Sequence, residues 1–215
     1  MRGAASPITI LQMARGLLRG ETKTRDLPGA WLRANDIRLD ADAIADYGRL
    51  CGFQEGQGVP LTWPHILAFP MHLRLMMRPD FPFPLAGLVH LHNRIRQRAR
   101  LTPGETLSLD TSFGCLMTHE RGQAFSILTA AHRDGVVVWE GQSVYLKRGG
   151  QGRGLAAPAM RAASEMARDQ AWRVPADLGR RYAGVSGDAN PIHTSALGAR
   201  PVSYTHLRAH ETRED

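Results

Sequence analysis

The sequence predicts an α+β fold in which an antiparallel sheet wraps one apolar helix, laid down once in full and begun a second time. Three observations predict it. One apolar helical stretch, residues 64–77, precedes four segments of strand-like composition. The last two of those segments are joined by Arg133-Asp134-Gly135, whose Asp-Gly step favours a tight hairpin turn. The entrance to the fold then recurs, without a gap, 135 residues later in the chain.

In chain order, residues 1–30 mix Gly, Pro and charge with little periodicity and read as an N-terminal extension. Residues 31–39 read as a first strand. Asp40 is a candidate N-cap for a helix whose apolar residues Ile44, Tyr47 and Leu50 recur every third position until Gly52 stops it. Thr62 can cap a second helix that Pro64 opens, and Pro70 is expected to kink or divide it. Its buried residues are expected to include Ile66, Leu67, Phe69, Leu73 and Leu75. After a Pro-rich turn at 79–84 come strands at 88–95, 105–113, 123–132 and 136–147. The run RGGQGRG, residues 148–154, reads as a flexible linker, continued by an Ala- and Met-rich stretch of moderate helical character to about residue 171.

With 215 residues, 43% of them hydrophobic and 22% charged, the chain can bury a core in one domain or two small ones. No run approaches the eighteen or so apolar residues of a membrane span, and no secretory leader is visible, so a cytoplasmic location is expected. Cys51 and Cys115 have no metal-like spacing and read as free thiols that serve as small packing residues. The net charge of +7 would suit nucleic acid if it were clustered. Its densest run instead places Arg94, Arg96, Arg98 and Arg100 at every second position, one exposed face of a strand. That pattern favours a solvated face, then a surface for the phosphates of an acyl carrier, over nucleic acid.

The repeat superposes Arg38 on Arg173, Ala41 on Ala176, Asp42 on Asp177, Tyr47 on Tyr182, Leu50 on Val185, Cys51 on Ser186 and Gly52 on Gly187. Beyond the glycine the copies diverge: Asp188 falls on Phe53, Asn190 on Glu55 and His193 on Gly58. Only the second copy therefore carries an acid–base pair, within SGDANPIH, residues 186–193. Its six specified residues would coincide by accident in about one chain in 10⁵ of this length. As a bare turn, Asp188 and Asn190 would merely bond their own backbone and His193 would stand in solvent. Elsewhere, His90 and His92 share a predicted strand face but lack a third ligand at metal spacing, and read as sheet or pocket-wall residues. The glycines of 149–154 lack the pattern of a phosphate loop, and Ser186 lacks the context of a nucleophile.

The stretch YAGVSGDANPIH, residues 182–193, resembles the signature of MaoC-like dehydratases and R-specific enoyl-CoA hydratases. The segments LTWPHILAFPMHLRLMM and FPFPLAGLVHLHNRI are similar to the noncatalytic first half of members with two hot-dog folds. The resemblance spans about residues 31–200. It implies a noncatalytic hot dog at 31–148, a linker at 149–171 and the start of a catalytic hot dog at 172–200. It further implies Asp188 and His193 as the catalytic pair, with Asn190, Gly187 and Ser186 supporting them. The implied reaction is hydration of 2-enoyl thioesters to (R)-3-hydroxyacyl thioesters, or its reverse. The substrate would be carried on coenzyme A or acyl carrier protein, with no cofactor and no metal, in a possible homodimer.

Such chemistry needs a base for the water attacking C3, an acid for C2, and donors for the charge gathering on the thioester oxygen. Gly187 permits a tight turn, Asn190 can bond across the loop and Pro191 stiffens the approach to His193. The alternatives are a hot-dog thioesterase or a nonenzymatic module that binds acyl thioesters. The final residues, 201–215, show neither the helix nor the strand pattern that the repeat requires and look non-native. The chain as written is accordingly expected to be an inactive fragment of a hydro-lyase.

Overall fold

The computed structural model describes residues 26–54, 56–158, 175 and 177–187. Strand β1 (Trp31–Arg38) leads into helix α1 (Ala41–Cys51), then α2 (Trp63–Met76) and strands β2 (Leu88–Gln97), β3 (Thr106–His119), β4 (Gly122–Arg133) and β5 (Val136–Arg148). A two-residue strand β6 (Leu155–Ala156) and helix α3 (Leu178–Ser186) follow. The sheet order is β1-β3-β4-β5-β2, antiparallel throughout that path, with β6 added parallel to β3.

Local chemistry accounts for most boundaries. Asp40 accepts a hydrogen bond from the Ala43 N–H at 2.9 Å and starts α1, and Gly52, at φ 75°, ends it. Asp134 and Gly135, at φ 51° and 79°, make the hairpin between β4 and β5, as the Asp-Gly step predicts.

The sheet curls around α2. Towards the helix N-terminus, Trp63, Ala68 and Met71 pack with Leu107, Leu109, Ala131, Val138 and Trp139. Towards its C-terminus, Leu75 and Met76 meet Phe81, Phe125, Ile127 and Tyr145. Leu27 and Ala30 lie against this second cluster, so packing begins just before β1.

Four expectations need correction. Of the helix residues expected inside, only Leu75 is buried, whereas Ile66, Leu67, Phe69 and Leu73 are half-buried. The buried face is Pro64, Ala68, Met71, His72, Leu75 and Met76, because a helix apolar on every side carries no signal for the face that meets the sheet. Thr62 does not cap α2 with its side chain; that hydroxyl bonds the Tyr47 hydroxyl instead, at 2.8 Å. Pro70 does not divide the helix, which runs unbroken from Trp63 to Met76. Both cysteines are exposed rather than packed.

The glycine-rich run is also less free than a linker. The Gln123 amide donates to the Arg153 carbonyl and accepts from its N–H, each at 2.9 Å, and a Cβ at Gly154 would collide with the Leu116 carbonyl. These glycines let the chain lie closely along β3 before β6. Among the described residues, no helix is long and apolar enough to cross a membrane.

Candidate active site

The structure places the entrance to SGDANPIH. Helix α3 ends on Gly187, at φ 73°, whose N–H bonds the Ala183 carbonyl at 3.0 Å. Glycine takes this left-handed conformation at least cost, and here it turns the chain out of the helix one residue before Asp188. Ser186 is half-buried and Gly187 exposed, while Asp188, Asn190 and His193 lie outside the described residues.

The first copy has the same construction. Gly52 ends α1 in the left-handed region and bonds back to Gly48, and Phe53 follows where the second copy has Asp188. The two helices pack together, and the repeat-equivalent Tyr47 and Tyr182 stand with ring centroids 6.2 Å apart at 55°. Tyr182 and Val185 lie half-buried against the core that holds Trp63, Leu109 and Trp139.

A second polar constellation lies between α2 and the sheet. His72, fully buried, stands with Nε2 2.8 Å from Thr129 Oγ1 and Nδ1 3.2 Å from the Tyr145 hydroxyl. Thr129 Oγ1 is 3.0 Å from Thr111 Oγ1, which donates to the Leu128 carbonyl. His65 lies 5.5 Å from His72 and 5.8 Å from His90 between ring centroids, and His90 stacks on Tyr145 at 4.9 Å. Burial, then the neighbouring imidazoles, pushes His72 down to about 3; burial, then His90, pushes His65 down to about 4. His90 keeps an exposed edge, but the protein packed around its ring lowers it as well.

Sequence reasoning singled out His90 but not His65 or His72. Their seven-residue spacing along α2 was the available signal. His90 and His92 do not share a face: a register shift sets His90 opposite Tyr145 and His92 opposite Val144, which belong to different core clusters. Among the described residues, no group of three His, Cys, Asp or Glu side chains is placed to hold a metal ion.

Arg94, Arg96, Arg98 and Arg100 are all exposed, but only Arg94 and Arg96 lie on β2, which ends at Gln97 before the other two. Arg98 pairs with Glu140 at 2.7 Å, and Arg94 and Arg96 border a groove of about 670 Å³ with Trp31, Leu128 and Gln142.

No family model matches the chain. It is 28% identical over 205 residues to the 3-hydroxyacyl-thioester dehydratase X of Mycobacterium tuberculosis (strain ATCC 25618 / H37Rv), across 94% of this chain and 72% of that protein. The crystal structure of HtdX from Mycobacterium tuberculosis superposes with a TM-score of 0.67 and 25% identity, over 81% of this chain and 68% of that one. The chain is thus similar in sequence and fold to 3-hydroxyacyl-thioester dehydratases. The fold extends to a MaoC-like dehydratase from Phytophthora capsici, with a TM-score of 0.65 at 17% identity over 84% of this chain and 69% of that one. The antiparallel sheet that wraps α2 is a hot-dog fold, and α3 leads into the segment that resembles the dehydratase signature.

Proposed function

We propose that the protein is a hydro-lyase that adds water across the double bond of 2-enoyl thioesters to give (R)-3-hydroxyacyl thioesters, and catalyses the reverse dehydration. The observation that carries this reading is the left-handed Gly187, which releases the chain from α3 directly before Asp188. Asp188 and His193 share the proton work: one group takes a proton from the water attacking C3 while the other delivers one to C2. Electron density moves through the thioester carbonyl, whose oxygen needs hydrogen-bond donors as its charge grows. Asn190 braces the loop, and Ser186 and Gly187 fix its take-off from the helix.

The substrate is an acyl thioester of coenzyme A or of acyl carrier protein. The reading carries with it a cytoplasmic location and a possible homodimer. Hydration of a crotonyl thioester by the full-length protein, followed as loss of the enoyl absorbance, is the test. Release of free thiol without hydration would make the protein a thioesterase, and binding without turnover would make it a carrier-binding module; either result overturns the proposal.

A further inference from the structure

We infer that Tyr47, on the copy without the acid–base pair, is a positioning residue for the catalytic segment of the other copy. The inference rests on the reading of Asp188 and His193 given above. Helix α3 has nine residues, no side-chain cap at Asp177 and no buried residue. Helices so short are marginal by themselves in water, so packing must hold this one.

The first copy supplies that packing, through Tyr182 and Val185 against its core and through the ring of Tyr47. Tyr47 is in turn immobilised, 4% exposed. Its hydroxyl bonds Thr62 at 2.8 Å, and its ring lies 5.3 Å from Trp63 and stacks on Phe53 at 6.0 Å. One side chain therefore ties the start of α2, the exit from α1 and the flank of α3. Because Tyr47 and Tyr182 hold the same place in the repeat, the two helices meet through equivalent positions, the pattern of an isologous contact within one chain.

The consequence runs along the backbone. From Tyr182 the helix reaches the Gly187 turn within five residues, and Asp188 follows. A catalytic group misplaced by about 1 Å can cost about 10² in rate, so a tilt of α3 is felt in turnover before it is felt in binding.

The test combines two readouts on Tyr47→Phe, Tyr47→Ala and Tyr182→Ala. Deuterium exchange of backbone amides in residues 178–187 is compared with that in β4 and β5, and crotonyl-thioester turnover is measured in the full-length protein. Tyr47→Ala is expected to speed exchange in α3 about tenfold or more with β4 and β5 unchanged, and to lower kcat about tenfold with KM within about twofold. Tyr47→Phe keeps the ring and should stay within about threefold of the parent in both. Unchanged α3 exchange in Tyr47→Ala, or faster exchange with full kcat, overturns the inference. If Tyr47→Ala also exposes β4 and β5, Tyr182→Ala removes the contact from the other side and decides by the same criteria. Full turnover in Asp188→Asn would instead remove the acid–base assignment, an outcome that the exchange data separate from failure of the contact.

Discussion

At the scale of single residues, Asp188→Asn and His193→Ala should each lower hydration in the full-length protein by at least about 10², the usual range for a positioned acid or base. Phe53, at the place equivalent to Asp188, stacks on Tyr47 and is 39% exposed. Phe53→Ala should therefore shift the melting temperature more than it shifts kcat. His72 makes a second prediction. Its folded pKa, about 3, lies below the ordinary value of 6.5, so the unfolded chain takes up the proton first. The stability it contributes is complete above the ordinary value and drains away as pH falls towards 3, at about 1.4 kcal/mol per pH unit. His65 acts in the same direction down to about 4. Urea midpoints should fall steeply from neutral pH into the acid range, and His72→Leu should show a shallower slope on a less stable protein. An unchanged slope in that variant would mean that His72 is already protonated when folded.

At the scale of elements, α1 and α3 are one construction used twice: a short helix, a tyrosine, and a left-handed glycine. The same substitution should therefore have different effects in the two copies. A side chain in this conformation costs about 1 to 2 kcal/mol. Gly52→Ala should lower the melting temperature and leave kcat nearly intact. Gly187→Ala, one residue from Asp188, should lower kcat with little change in melting, since α3 contributes no buried residue. Melting curves and kcat measured on both variants check the pair, and equal loss of kcat in both would contradict the division of roles.

At the scale of the whole molecule, the sheet wrapped around α2 is the support and α3 rides on it. Leu75 is fully buried on α2, in the cluster with Phe125 and Tyr145, away from the cluster that receives Tyr182. Leu75→Ala should cost about 2 to 5 kcal/mol, by lost transfer energy and an unfilled cavity. Because α3 has no core of its own, its amides should lose protection along with those of β4 and β5 in this variant, whereas loosening of α3 should not propagate back. Hydrogen exchange resolved by segment checks that asymmetry. By contrast, Arg94 and Arg96 are exposed, and replacing both by Ala should change stability by less than about 0.5 kcal/mol.

The sequence by itself determined what depends on short stretches of backbone. Asp40 and Gly52 set the ends of α1, Asp134-Gly135 set the hairpin, and alternation put Arg94 and Arg96 outside, because caps, positive-φ turns and strand pleat are local properties. The repeat and SGDANPIH were likewise legible, since equivalence and composition need no coordinates. Tertiary structure alone decided which side of α2 meets the sheet, because an all-round apolar helix has no preferred face until a partner arrives. It also decided that a bulge parts His90 from His92, that His65, His72, Thr129 and Tyr145 converge, and that Tyr47 meets its own repeat in Tyr182. Each of these joins residues far apart in the chain, where packing rather than backbone preference sets the geometry.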